Sequence, residues 1–133
     1  MPYRFEFDGI NRILRGRFEG QMDDSSLVAF YADIVKHVAK TDPRFVIHDL
    51  SGVVTLNISV SVVHVLANSQ PAVRDPAIPR YIVAPSAYLF GMSRMFQLAG
   101  EKTRPTLYVV SSIDEVFKHL GITEPTFAAV VQD

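Results

Sequence analysis

Cysteine is missing altogether from this sequence, which excludes disulfides, thiol catalysis, iron–sulfur clusters and cysteine-built zinc sites, and suits a reducing compartment. A surplus of positive charge is missing as well, since 13 Lys and Arg stand against 14 Asp and Glu for a formal net charge of -1. The broad basic field with which nucleic-acid binders neutralise phosphates is therefore absent. No apolar run approaches the roughly 20 residues that span a bilayer. The opening segment Met1-Pro2-Tyr3-Arg4-Phe5-Glu6 lacks the charged-then-apolar build of a signal peptide. These absences lead to the expectation of a soluble cytoplasmic protein with no membrane span and no nucleic-acid partner. What is present, 133 residues of which 48% are hydrophobic and 20% charged, has the size and polarity of one globular domain.

The chain opens with a period of two. Tyr3, Phe5 and Phe7 alternate with Arg4, Glu6 and Asp8, the pattern of a strand with one buried face. Asp8-Gly9 reads as a tight hairpin turn, and a second strand follows with Leu14, Gly16 and Phe18 opposite Arg15 and Arg17. Asp23-Asp24-Ser25 caps a helix whose apolar positions are Leu27, Phe30, Tyr31, Ile34, Val35 and Val38. Phe45-Val46-Ile47, Arg80-Tyr81-Ile82-Val83 and residues 106–110 are short runs apolar on both faces, as parallel strands covered on both sides require. Residues 86–99, stopped by Gly100, and 112–120, stopped by Gly121, read as helices.

Residues 57–66 pose a conflict. Ile58, Val60 and Val62 alternate with Asn57, Ser59 and Ser61, which favours a strand. Two parallel strands nevertheless need a crossover, and this is the segment between Phe45 and Tyr81 able to supply one. A helix is therefore expected there. The predicted order is ββαβαβαβα: an α/β fold with a mostly parallel central sheet, an antiparallel hairpin at the start, and helices packed on it. A single domain covers residues 1–121. The tail, 122–133, with Phe127-Ala128-Ala129-Val130-Val131, docks on the body, pairs with a second copy as in a homodimer, or frays.

In such sheets ligands and partners meet the loops at the carboxyl ends of the strands. Those loops are expected at residues 50–57, 84–88 and 111–112, and they supply Ser51, Thr55, Asn57, Ser59, Ser86, Tyr88, Ser111 and Ser112, with Ser61 one step into the following helix. Such a rim suits an anion, a phosphorylated side chain or polar contact with another protein; serines at these places also simply cap helices. Arg94, projecting from an apolar helix, is a candidate for two-point contact with a carboxylate or phosphate, or pairs with a nearby acid, or lays its stem over the helix with its head in water. Phe90, Met92, Met95 and Phe96 make the same helix soft and aromatic, suited to core packing or to an adaptable pocket for an apolar ligand. Arg12, Arg15 and Arg17 read as protection of a sheet edge. His48 reads as a hydrogen-bonded histidine near the sheet edge, and His64 as a core residue. Gly91-Met92-Ser93-Arg94-Met95 has methionine where a nucleophile elbow needs its second glycine. His37, His48, His64 and His119 show no metal-ligand spacing. No catalytic, metal or cofactor-binding residue is assigned.

Over about residues 3–121 the element order resembles the STAS domain of bacterial anti-sigma-factor antagonists. The resemblance is to its SpoIIAA-like branch, related in fold to SEC14 or CRAL-TRIO lipid-binding domains. It is carried by Phe45-Val46-Ile47-His48-Asp49-Leu50-Ser51-Gly52-Val53 and by Tyr88-Leu89-Phe90-Gly91-Met92-Ser93-Arg94-Met95-Phe96. In the antagonists an Asp-Ser-Ser-Gly segment starts the second helix and its second serine is phosphorylated. Here that segment falls on Asn57-Ile58-Ser59-Val60, so the resemblance makes Ser59 the phosphoacceptor, with its neighbours changed. It implies a non-enzymatic regulatory or protein-interaction module engaging a protein partner through residues 52–61. The lipid-binding relatives imply the alternative, a small carrier or sensor for an apolar molecule.

Overall fold

Alternating burial builds the first two strands, β1 (Tyr3–Asp8) and β2 (Ile13–Asp23). Tyr3, Phe5, Leu14 and Phe18 enter one core, while Arg4 lies opposite Arg17, and Glu6 opposite Arg15, on the other face. The computed structural model describes residues 2–130. The connection between these strands is longer than the tight turn expected at Asp8-Gly9. Its left-handed residue is Arg12, at φ 59°. The buried Asp8 carboxylate closes the loop by accepting from the backbone of Ile10 and Asn11, each at 3.0 Å, and from the Asn11 amide at 2.7 Å. A buried acid with this many donors replaces the glycine geometry of a two-residue turn.

Helix α1 (Asp24–Thr41) starts at a reciprocal cap in which Asp23 accepts from the Ser26 backbone while Ser26 bonds back. Phe30, Ile34 and His37 form its buried stripe. The next strand, β3 (Phe45–Asn57), corrects an expectation: residues 50–57 form no loop but extend the strand, paired with β2 as far as Asn57 opposite Asp23. Val53, Val54 and Thr55 are β-branched and favour this extension, and the ladder absorbs two register shifts beside Gly20 and Gly52. At Gly52 a Cβ would stand 2.9 Å from the Phe18 carbonyl oxygen, so the close strand approach requires glycine.

The crossover helix exists but begins later than the residues 57–66 expected for it. Helix α2 (Val60–Ala67) is capped by Ser59. The strand-like alternation of Asn57, Ile58 and Ser59 is the signature of the extended entry, and the helix takes over only at Val60. There follow β4 (Arg80–Val83), α3 (Ala87–Ala99, capped by Ser86), β5 (Leu107–Val110) and α4 (Ile113–Leu120, capped by Ser112 and stopped by Gly121 at φ 71°). Residues 128–129 add β6 (Ala128–Ala129), antiparallel to β1.

The result is an α/β fold with a mixed six-stranded sheet in the order β5-β4-β3-β2-β1-β6. The pairs β2–β3, β3–β4 and β4–β5 are parallel, and β1 is antiparallel to both its neighbours. Strand β2 is thus interior, and the edge-guarding reading of Arg15 and Arg17 is corrected. Both point to the sheet face away from α1, where Glu6 accepts from Arg15 at 2.5 Å and from Arg17 at 3.5 Å. Burial pushes the Glu6 carboxyl up, but these guanidiniums together with Arg4 outweigh it and hold Glu6 below the usual carboxylate range.

Two apolar clusters hold the layers together. Phe18, Phe30, Ile34, Val46, Ile82 and Leu89 form the larger, between the sheet and α1 and α3; Ile13, Ile47, Tyr81, Val83 and Val116 form the smaller, beneath α4. The tail joins the body: Thr126 donates to Asp8 at 3.1 Å, Val130 donates to the Phe5 carbonyl at 2.9 Å, and the Phe127 ring lies 4.0 Å from the Arg15 guanidinium. Asp8 therefore fastens the first turn and the tail together. Val131 and the two residues after it lie outside the described residues.

Candidate functional site

The tip of α2 forms where three backbone directions converge: β3 ends at Asn57, Ser59 turns the chain, and α1 begins alongside. Ser59 Oγ accepts from the Val62 backbone at 3.2 Å, and the Ser59 N–H donates to the Asp24 carboxylate at 2.7 Å. The free amides of one helix start are thus answered by a hydroxyl and by an acid from the preceding helix. Beside the half-buried Ser59, Asn57 and Ser61 are exposed, as is Val60 at 54%; Val54, at 85%, is exposed on β3 five residues before Ser59. Scattered apolar residues are ordinary on a surface, but Val60 directly follows the capping serine.

The remaining expected rim residues spread out. Ser51 and Thr55 are exposed on the strand itself, not on a loop; Ser51 donates its hydroxyl to Asp49 at 2.5 Å and Thr55 pairs with Gln21. Ser86 caps α3 by accepting from Leu89 at 3.2 Å, with exposed Tyr88 beside it. Arg94 sits two helical turns further on, roughly 12 Å along the axis from Ser86. There it bonds Gln97 and faces a groove with Tyr108, Lys118 and His119, away from the α2 tip. Its partner is an amide, not an acid.

The second feature is internal. A cavity of about 100 Å³ lies between the sheet and α1, α2 and α3, its walls mostly apolar and including Met22, Leu27, Ile58, Leu66, Leu89 and Ile82. Of the four residues singled out on α3, Met92 and Phe96 line it; Phe90 packs against the core beside it and Met95 is not on the wall. The spacing of α3 explains the division, because Leu89, Met92 and Phe96 fall on one face.

The sequence reading missed the polar groups of this cavity. His48 lies on β3 opposite Ile82 of β4, and faces the cavity with Arg80, Arg104 and Tyr31. Its placement corrects the expected edge histidine: β3 is interior, and the ring makes no hydrogen bond among the described residues, packing instead 6.1 Å from the Phe30 ring. Burial, reinforced by Arg80 and Arg104, pushes the His48 imidazole down to about 4. His64, expected in the core, is exposed on α2. Arg104 is spent on structure. Its two Nη atoms donate to the carbonyls of Leu66 at 3.0 Å, Ala67 at 2.7 Å and Ser69 at 3.1 Å, and to Tyr31 Oη at 2.8 Å. It thereby satisfies the open carbonyls at the end of α2 and sits at the favourable end of its dipole. Arg80 donates only to the carbonyls of Asp75 at 3.1 Å and Ile78 at 3.4 Å, so its Nη1 has no partner among the described residues. A charged residue opening the otherwise apolar Arg80-Tyr81-Ile82-Val83 run was the one signal available; Arg104, in a polar turn, gave none.

No family model and no curated protein matches the sequence. Among solved structures the fold is similar to that of the anti-sigma factor antagonist SpoIIAA in its unphosphorylated form, with a TM-score of 0.57 and 14% identity over 92% of this chain and 99% of that one. The fold is STAS-like. Among the described residues, no helix is long and apolar enough to cross a membrane.

Proposed function

We propose that this chain is a non-enzymatic protein-interaction module of STAS type, working in the cytoplasm, that presents the α2 tip to a protein partner and is controlled by phosphorylation of Ser59. The observation that carries this reading is a capping serine followed directly by an exposed valine, Val60, at the start of α2. The likeness to a protein named as an antagonist of another factor supports it. Phosphate would add about -1.5 to -2 charges. The helix N-terminus favours that charge, but Asp24, already bonded to the Ser59 backbone at 2.7 Å, opposes it. The modification therefore reorganises the tip instead of settling quietly onto it. The test places a photo-cross-linking residue at Val60 and, as control, at the exposed Glu101 beyond the far end of α3. Expressed in its own cells, the chain yields one adduct from position 60 that is absent from position 101. Identical adduct patterns from both positions would refute the reading.

A specific observation favours a second reading, a carrier or sensor for an apolar molecule: the cavity under α1, α2 and α3. Native mass spectrometry of the chain purified without detergent reads retained ligand, covalent phosphate and subunit number together. A homodimer, if formed, appears in the same spectrum.

A further inference from the structure

We infer that the cavity takes a short amphiphile with a carboxylate head, its head at Arg80 Nη1 and His48 and its few apolar carbons among Leu27, Leu89, Met92 and Phe96. The inference rests on the second reading above and adds the charge of the ligand. Arg80 and Arg104 are each 3% exposed, yet no Asp or Glu lines the cavity with them. Elsewhere the chain treats half-buried guanidiniums differently: Arg15 and Arg17 both reach Glu6. Two buried cations with no acid between them are unfavourable by desolvation and by mutual repulsion, which the Asp75 carboxylate, outside the cavity wall, offsets only in part. Burial, and then Arg104, draws the Arg80 guanidinium below its ordinary value.

Arg104 has its donors engaged by α2 and Tyr31. Arg80 keeps Nη1 open, and the His48 ring, on the neighbouring strand, is equally unpartnered among the described residues. An anionic head would remove the repulsion and accept from both, whereas an ammonium head would add a third positive charge. A carboxylate's two oxygens can accept from Nη1 and from the His48 ring. The rest of the wall offers little but carbon, so the remainder of the ligand is apolar.

The test uses the full chain at neutral pH, with butanoate and butan-1-ol, small enough for a cavity of about 100 Å³, as probes. Affinity is read by calorimetry, and position by NMR of the His48 ring and Met92 methyl. Butanoate should bind at least about tenfold tighter than the alcohol, shifting both signals. Arg80→Gln should remove that preference while leaving alcohol binding unchanged, and Met92→Trp should block both probes by filling the cavity. Equal affinity of the two probes would overturn the charge inference and leave the apolar-ligand reading standing. Binding of neither would overturn both. Butanoate binding that leaves the His48 ring unmoved would place the ligand elsewhere and overturn the inference. If Arg80→Gln does not fold, the two probes on the unmodified chain decide.

Discussion

His48→Leu should flatten the acid limb of the stability curve. In the folded chain the imidazole is lowered from 6.5 to about 4 by burial and by the nearby Arg80 and Arg104. The unfolded chain therefore takes up this proton first. The sign follows from that order: the stabilisation is complete above about pH 6.5, is lost as pH falls toward 4, and changes no further once both states are protonated. The difference corresponds to about 3 kcal/mol across the window, a large share of the stability of a domain this size. His37, also lowered by burial, contributes in the same direction but is common to both proteins and cancels in the comparison. Asp8 and Glu6, held below their ordinary values, act mainly at the acid end and cancel likewise. Urea midpoints at half-unit intervals from pH 4 to 7.5, with m-values fitted separately, measure the effect. The variant should be no less stable than the parent at pH 7 and should gain steadily on it as pH falls. Parallel curves would refute the placement of an unpaired imidazole among buried cations.

Three further outcomes follow from the packing. Gly16→Val should destabilise by about 1–3 kcal/mol, because a Cβ there meets the rings of Phe5 and Phe30 at 2.9 Å; thermal melting reads it, and an unchanged midpoint contradicts the packing. Asp8→Ala should weaken two distant places together, raising hydrogen exchange both at Ile10 and Asn11 and at Thr126 and Val130, with a loss of about 2–3 kcal/mol. Exchange confined to the turn would show that the tail is held by other means. Arg104→Met should fray the end of α2 and destabilise by about 3 kcal/mol, since the carbonyls of Leu66, Ala67 and Ser69 lose their donor; intact exchange protection from residue 66 to 69 would contradict this.

Where periodicity, caps and topology agreed, the elements could be read from residues alone. Asp23 before the Phe30–Ile34 stripe, and Ser86 and Ser112 before α3 and α4, are local signals whose meaning does not depend on the rest of the chain. Around residue 57 they disagreed. Topology rightly demanded a crossover helix, but local alternation was also right over its first three residues, so β3 runs on to Asn57 and α2 starts at Val60. The tail was undecidable because the anchor of β6 is Asp8, more than a hundred residues away in sequence. Arg15 and Arg17 were misplaced for a related reason: alternation gives the face of a strand, never its rank in the sheet. The cavity was half legible. Met92 and Phe96 share a helix face that sequence spacing reveals, whereas His48, Arg80 and Arg104 come together only when β3, β4 and the turn before β5 are laid side by side.

The account's central claim, that the α2 tip docks a partner and charge at Ser59 releases it, is tested most directly by comparing Ser59→Asp with Ser59→Ala. Aspartate caps a helix as well as serine does, whereas alanine loses the cap at about 1 kcal/mol. Helix stability and charge therefore move in opposite directions in the two variants. Against the partner cross-linked through position 60, calorimetry should show Ser59→Asp weakened by about tenfold or more and Ser59→Ala within about twofold of the parent. Full affinity in Ser59→Asp, or an equal loss in both variants, would contradict the claim.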